Sequence, residues 1–466
     1  MRWVAASAFF PSENFMRDPL PNPGTNRLYG QLWRWHFFAA FIVIPFVLWQ
    51  SVTGTIYLWS ERWIDSAHAD LRFVTVGSRS LPLSEQVQAA LTQARRSSPT
   101  SASPPEAPGA ASHDAHHGGG GSSRGLAVQR VLVSEDPNRS TAVLLQNAGG
   151  LPFPVFVNPY TGAVLGSLSA VQWVPGLTRA LHGGWPLGTS GSLLLELGDG
   201  WALVMIITGL YLWWPRGRGV SALWPRFHAG TRVLLRDLHS CVAVWFAVVF
   251  VFFLISALPW TAFWGGTLLS AVEARTGQSS PAGFSPGGAS VERFAEALQP
   301  VERAVSAARA AGVHGTLDVR LAPWPNAPVF ITNTRVLPSQ DRTLLADASS
   351  GAIRGDYNNA DLPAIPRFVA LGVHVHQADF GAANVWLNTA FAMSLVWLTV
   401  TGALSWWNRR PRGKLAAPPR VQTTLPRFVL VVGTVLCVVH PILGASVLLL
   451  LLIDAALGSH LRQAAR

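Results

Sequence analysis

The sequence predicts an α-helical membrane bundle of four to five transmembrane helices, duplicated about a pseudo-twofold axis, with two α+β domains outside the membrane. Three observations predict it. Half of the 466 residues (49%) are hydrophobic and only 13% are charged, about half the charged share of a soluble domain. A mean hydropathy of +0.29 is too low for a chain that is membrane throughout, so apolar spans must alternate with polar modules. Finally, the same order of features occurs twice along the chain.

Five stretches have the roughly 20 apolar residues that a bilayer crossing needs. Phe37–Ser60, Ser240–Val272, Phe380–Asn408 and Phe428–Ile453 carry no charged side chain, while Ser192–Trp214 holds Glu196 and Asp199 near its start. The chain's basic residues are 34 Arg and Lys414 alone. Four Lys/Arg fall in residues 1–35, five in Pro215–Leu238 and six in Arg409–Arg427. Short basic loops mark the cytoplasmic side, which places the two long connections outside, in the periplasm of a Gram-negative cell. The net charge of +11 is thereby a topology signal, not a nucleic-acid one. Trp213, Trp214, Trp406 and Trp407 precede basic loops, as interfacial aromatics do. The first span reads as an anchor, because residues 1–25 lack the apolar core and cleavage site of a signal peptide. For the last segment two readings stand: one span, or a re-entrant hairpin broken at Pro441.

Both outer segments read as a helix followed by short strands. In the first, Leu83–Arg95 is an amphipathic helix, Thr100–Gly125 is a low-complexity insert with nothing to bury, and strands follow at Ala127–Val133, Thr141–Gln146, Pro154–Val157 and Ala163–Leu165. In the second, Val291–Ala311 is helical, with strands at Thr316–Leu321, Pro328–Asn333, Thr343–Asp347 and Ala352–Gly355. The resulting organisation is a cytoplasmic N-terminus (1–35), spans at 36–60, 192–214, 239–264, 381–408 and 428–455, and outer domains at 61–170 and 265–365. Histidine-bearing segments lie at 171–191 and 366–380, and cytoplasmic loops at 215–238 and 409–427.

The repeat extends to single residues. His36 precedes Thr53-Gly54 by 17 positions, and His239 precedes Ser256-Ala257 by the same 17. The second and fourth spans align through TGLYLWWPRGRG (Thr208–Gly219) and TGALSWWNRRPRG (Thr401–Gly413), each downstream of a histidine before a glycine turn, His182 and His376. Copies that start on the same side of a membrane are related by a pseudo-twofold along its normal.

A lone histidine at a membrane boundary is ordinarily a hydrogen-bonded interface residue. Repetition argues otherwise: two facing imidazoles at one depth are what bis-histidine ligation of haem iron requires. His36 and His239 form the candidate pair at the cytoplasmic side, His182 and His376 the pair at the outer side. From His36 to Thr53 a helix rises about 26 Å, so the pairs lie near opposite surfaces. Both cysteines, Cys241 and Cys437, sit in apolar runs without a C-x-x-C-H signature, so any haem is non-covalent. His374 is the alternative to His376. His440 is a secondary candidate, paired to a carbonyl or a propionate. Arg34, Arg232 and Arg236 are candidate propionate contacts or plain positive-inside charge. Glu196 and Asp199 serve the outer site or cap a helix start, and His113, His116 and His117 read as a solvated tract.

LYGQLWRWHFFAAFIVIPFVLWQSVTGTIYLW (Leu28–Trp59), VNPYTGAVLG (Val157–Gly166) and LGVHVHQADFG followed by a span and WWNRRPRG resemble the PepSY-associated transmembrane proteins, in particular the ferric-siderophore reductase-like branch of the inner membrane. The second outer domain keeps only a degenerate DASSGAIRG (Asp347–Gly355) of the DPxTG pattern. The resemblance implies two periplasmic PepSY-like domains and two b-type haems. It also implies electron transfer that reduces a ferric siderophore or other ferric chelate, with electrons from a cytoplasmic or quinol donor. Fe(III) release by reduction is chemically sensible, because hard oxygen donors hold Fe(III) far better than Fe(II). The alternatives are a signalling or protease-regulating membrane protein, or a transporter subunit without redox activity. No reading involves nucleic acid.

Overall fold

The computed structural model describes residues 23–97, 126–146, 151–215, 218–279, 288–324, 326–334, 336–411, 413–421 and 424–464. The Thr100–Gly125 insert, with His113, His116 and His117, lies outside the described residues. In chain order the elements are α1 (Pro23–Ala67), α2 (Ala69–Arg72), α3 (Leu83–Ser97), β1 (Ala127–Val133), β2 (Thr141–Gln146), β3 (Pro152–Val157), β4 (Val164–Ser167), α4 (Val174–His182) and α5 (Gly188–Trp213). Then come α6 (Thr231–Ala257), α7 (Ser270–Thr276), β5 (Ala289–Ser290), α8 (Val291–Glu296), α9 (Leu298–Ala310), β6 (Thr316–Leu321), β7 (Val329–Thr334), β8 (Arg342–Ala346) and β9 (Ile353–Asn358). The chain continues through α10 (Ala364–Gln377), α11 (Ala382–Trp407), α12 (Arg427–Val439) and α13 (Pro441–Ala464).

Among the described residues four helices are long and apolar enough to cross a membrane: α1, α5, α6 extended to Trp260, and α11. They pack around Val43, Val47, Ala202, Leu254, Phe391 and Leu395. Small residues permit the close approaches, as membrane packing favours: a Cβ on Gly198 would lie 2.5 Å from the Phe46 ring. At 45 residues, α1 is about 68 Å long, twice a hydrocarbon core, and its far end carries part of the sheet.

Two of the uncharged runs are broken by proline. Ser240–Val272 is not one helix: α6 stops at Ala257, a 3-10 turn spans Leu258–Trp260, and the chain turns before a π-helical segment at Trp264–Leu269. Pro259 supplies no N–H to continue the helix, and Gly265 packs on its carbonyl where a Cβ would overlap. Phe428–Ile453 likewise divides into α12 and α13 at His440, which is non-helical (φ −116°, ψ 85°) ahead of Pro441. Gly444 folds back against Cys437, where a Cβ would meet the carbonyl at 2.6 Å. The segment is thus two helices that meet at His440-Pro441.

The strands occupy the predicted places, but not as two sheets. One antiparallel sheet runs β4-β3-β2-β1-β6-β7-β8-β9, with β5 also on β1. The junction is β1 against β6, pairing Val131 with Val319, Leu132 with Asp318 and Val133 with Leu317. Each strand would be the open edge of a four-stranded meander, and unpaired edges are satisfied by pairing. One continuous core covers both halves of one face: Val87 and Leu91 of α3 and Phe294, Val301 and Ala304 of α8 and α9 lie on Val131, Val143, Val319 and Ile331. The predicted helix Val291–Ala311 divides at Ala297. On the opposite face Ile64 and Leu71 pack with Leu144, Phe156 and Trp173, while Arg72 and Arg139 grip Asp65 of α1 at 2.8 and 2.6 Å.

The turns after β3 and β8 have the same construction. Asn158 Oδ1 accepts from Tyr160 N at 2.9 Å, and Gly162 (φ +69°) donates to the Asn158 carbonyl. Asp347 Oδ1 accepts from Ser349 N at 3.0 Å and Ser350 N at 2.8 Å, and Gly351 (φ +76°) donates to the Asp347 carbonyl. The VNPYTG and DASSG motifs are therefore Asx turns with a left-handed glycine, built for strand reversal.

At the sheet junction Asp318 is 1% exposed and paired with Arg130 at 3.1 Å and Arg320 at 2.6 Å. Burial alone would raise its pKa; the two guanidiniums outweigh that and hold it at about 2, below the ordinary 3.8. The stabilisation is thus present above pH 3.8 and lost as pH falls through the folded-state value. Asp318→Ala, which strands two guanidiniums, should cost about 3–5 kcal/mol, read as a fall in the sheet's melting temperature that disappears at the acid end of that window.

The basic loops after α5 and α11 lie at the bundle end opposite the sheet. A cysteine at exposed Ser78 or Ser349 should label with an impermeant reagent in spheroplasts, and one at exposed Ser221 should not. The reverse pattern would place the sheet in the cytoplasm.

Candidate functional site

Each repeated histidine rests on a hydroxyl residue of a neighbouring helix, usually followed by glycine. His36 Nδ1 lies 3.1 Å from Thr208 Oγ1, and a Cβ on Gly209 would stand 3.1 Å from His36 Cε1. His239 Nδ1 lies 3.0 Å from the Leu398 carbonyl and 3.2 Å from Thr401 Oγ1, with Gly402 at 3.3 Å by the same measure. His182, the last residue of α4, places Nδ1 2.9 Å from Thr53 Oγ1, with Gly54 at 3.3 Å. His376, in the last turn of α10, places Nδ1 3.4 Å from Ser256 Oγ. There Gly372 brings α10 onto α6, a Cβ on it lying 3.0 Å from the Ser256 Cβ.

These seats favour one tautomer. Thr208, Thr53 and Thr401 each donate to the carbonyl four residues back at 2.7 Å (Val204, Trp49 and Trp397), and Ser256 donates to Phe253 O at 3.1 Å. A hydroxyl has one proton, so toward the imidazole it must accept. At His239 the Leu398 carbonyl can only accept, which puts that ring's proton on Nδ1 and leaves the Nε2 lone pair free; the other three seats, with their hydroxyl protons turned to backbone carbonyls, favour the same tautomer. This is the arrangement of a metal-ligating histidine whose other nitrogen donates to a supporting acceptor.

The rings pair across the two halves. The His182 and His376 ring centroids are 6.0 Å apart at an interplanar angle of 77°, and Phe253 packs on His376 at 4.8 Å. Two imidazoles holding one ion from opposite sides, each nitrogen about 2 Å from it, have centroids about 6 Å apart. Burial, reinforced by His376, lowers the His182 pKa to about 3, and burial lowers His376 to about 4, so both rings are neutral. His36 and His239 lie within electrostatic reach of each other. Among the described residues no group of three or more His, Cys, Asp or Glu is placed to hold a metal ion. Paired neutral imidazoles are a donor set that could hold haem iron.

The remaining candidates are engaged elsewhere. His374 has Nδ1 2.9 Å from Asp379 and Nε2 3.1 Å from Asp341. Burial lowers its pKa, but the two carboxylates prevail and raise it to about 9, so a charged His374 offers no lone pair and His376 is the residue aimed at His182. His440 sits at the α12–α13 break, 3.9 Å from Asp199, and joins neither pair. Glu196 Oε1 accepts from Phe263 N at 2.8 Å and Trp264 N at 2.9 Å, capping the turn after α6, while Asp199 Oδ2 is buried without a hydrogen-bond partner. Arg34 donates to the Pro418 carbonyl and lies over Phe38, Arg236 pairs with Asp237 at 3.2 Å, and Arg232 is exposed beside Arg409.

The sequence reading used Thr53-Gly54, Thr208-Gly209, Thr401-Gly402 and Ser256-Ala257 only to align the repeat. They are the imidazole seats. The available signal was a hydroxyl followed by a small residue in every span, a pairing that interface packing alone does not require.

A search of curated proteins finds no match to the chain. The model of one family, the PepSY-associated TM region, matches residues 33–409, which include all four histidines, all four seats and every strand. The chain therefore belongs to the PepSY-associated TM region family.

Proposed function

We propose that the chain is a duplicated, two-haem b-type electron-transfer protein of the bacterial inner membrane, with two PepSY-like domains in the periplasm, that reduces a periplasmic ferric chelate such as a ferric siderophore. The observation that carries this reading is the set of four imidazoles held through Nδ1, two at each end of the bundle, with Nε2 left for a metal. His36 and His239 would hold one haem, and His182 and His376 the other. When bound, haem supplies reversible one-electron chemistry.

The chain's own part is to seat four rings through Nδ1 and exclude water with the apolar bundle between the two levels. Thr53, Thr208, Thr401 and Ser256 favour the donor proton on Nδ1, so ligation need not await a proton shift. The element order helix, sheet strands, histidine-bearing helix, span occurs in each half, and the matching seats support duplication of one unit.

The test is the absorption spectrum of the purified protein with a haem-to-protein ratio. Two low-spin b-type haems per chain, reducible by dithionite, are expected. A colourless protein that takes up no haem on reconstitution would sink the proposal and favour a signalling role for the outer domains.

A further inference from the structure

The five apolar runs of the sequence hold only two carboxylates and one histidine: Glu196 and Asp199, three residues apart on α5, and His440 at the break between α12 and α13. Packing brings the three together. Glu196, Asp199 and His440 are 3%, 4% and 5% exposed, and Asp199 Oδ2 lies 3.9 Å from His440 Nδ1. The helix pair that carries His440 is held on both sides of it. Trp264 Nε1 donates to the Val439 carbonyl at 3.0 Å, Trp201 Nε1 to Ser446 Oγ at 3.2 Å, and a Cβ on Gly200 would stand 2.8 Å from Leu443. Both helices lie beyond residues 33–409, which the family model matches.

The two carboxylates differ in what they meet. Glu196 Oε1 accepts from the backbone N–H groups of Phe263 and Trp264, which satisfy an anion. Asp199 Oδ2 has no hydrogen-bond partner and faces the imidazole just beyond hydrogen-bond reach. Among the described residues, the elements packed round the pair bring no further charge: α1 presents Phe46 at Gly198, α13 presents Leu443 at Gly200, and the turn after α6 presents Phe263 and Trp264. Cys437, three residues before His440, is the nearest other titratable side chain on α12. A carboxylate in an apolar layer is costly as an anion, and an ion pair repays its desolvation only with close geometry and further hydrogen bonds. Asp199 Oδ2 has neither. One proton between carboxyl and imidazole removes that cost, and enclosed acid and histidine side chains are the groups that relay protons inside membranes.

Along α5, Asp199 stands eight residues past Gly191, which packs on Gly184 two residues beyond His182. It stands nine before Thr208, the seat of His36. These are about 12 and 14 Å at helical rise, so the pair lies between the two histidine levels. We propose that Asp199 and His440 form an intramembrane proton-binding site, which takes up a proton when an electron enters the bundle. Charges at that depth act on each other with little screening, so an electron at either level tightens the hold on the proton, one for one. The proton comes from bulk water, binds Asp199 Oδ2 or His440 Nδ1, and leaves when the electron does. The site stands on these side chains alone; its coupling to electrons rests on the haem reading above.

The experiment compares Asp199→Asn, Glu196→Gln and His440→Phe with wild type as purified full-length protein. Infrared spectra in H2O and D2O, taken as a pH titration, read a protonated carboxyl directly. Redox titrations at several pH values read the midpoint potential of each haem. Wild type should show a carboxyl C=O band that titrates, shifts in D2O and is absent in Asp199→Asn alone. His440→Phe should keep the band and move its midpoint by tenfold or more in proton concentration. At least one haem potential should fall as pH rises, toward 59 mV for each tenfold drop in proton concentration, the constant of a one-electron, one-proton couple. Asp199→Asn should lose that slope. Asn has the shape of the protonated acid; should the variant nonetheless not fold, the shift in His440→Phe decides instead. No such band, or a band that Glu196→Gln removes, overturns the site. The band with equal slopes in wild type and Asp199→Asn overturns the coupling, and the proposal with it, while the haem reading stands. A protein without haem sinks that reading, and the infrared band then decides the site alone.

Discussion

Replacing any one of His36, His239, His182 or His376 with Ala should take the protein from two low-spin haems to one, or leave the second in a high-spin form. Each ring is one half of a two-ring pair, and its partner sits on the other half of the bundle. His182 and His376 face each other at 6.0 Å, so loss of one removes half the axial donors of that site and none of the other's. The measurement is the haem-to-protein ratio with the low-spin signal in electron paramagnetic resonance. Thr53→Val is the informative companion, because it keeps the ligand His182 and removes its seat: the haem should stay while the signal broadens as the ring loses its fixed orientation. Four single histidine variants with full low-spin spectra would refute the ligand assignment.

The second large effect is on chelate reduction. His182→Ala or His376→Ala should abolish oxidation of the dithionite-reduced protein by ferric chelates, while the haem on His36 and His239 remains reducible. Substrates too bulky to enter the bundle must be met at the sheet end, where His182 and His376 lie. Stopped-flow oxidation by several ferric siderophores, wild type against both variants, reads the difference. Should either variant reoxidise as fast as wild type, the outer pair is not the exit, whatever the haem content. The route of approach differs from what two separate outer domains would offer. A cleft between them is closed by the β1–β6 pairing.

Much of this architecture is legible along the chain because its signals are local. The uncharged apolar runs, the basic loops and the short strands each report on neighbouring residues, and β1, β2 and β6 begin and end where alternation and turn residues place them. The pairing of His36 with His239 and of His182 with His376 also comes from the chain, through equal spacings in two copies. Where a local signal misled, the cause was equally local: Pro259 carries no charge and so does not interrupt a hydropathy run, yet it removes a helical N–H and the helix stops before it.

The sequence by itself therefore determined which segments are long apolar helices, which residue types repeat, and which four histidines stand at matching positions. Tertiary structure alone decided what those residues touch. The choice between His374 and His376 depends on Asp341, 33 residues distant in sequence from His374, and no spacing rule reaches that far. Fusion of the two meanders rests on β1 meeting β6 across nearly 190 residues. The Thr-Gly pairs became imidazole seats only when helices from separate parts of the chain packed together. Periodicity records which face of an element is apolar; which partner that face meets is set by the free energy of packing the whole molecule, to which every distant segment contributes.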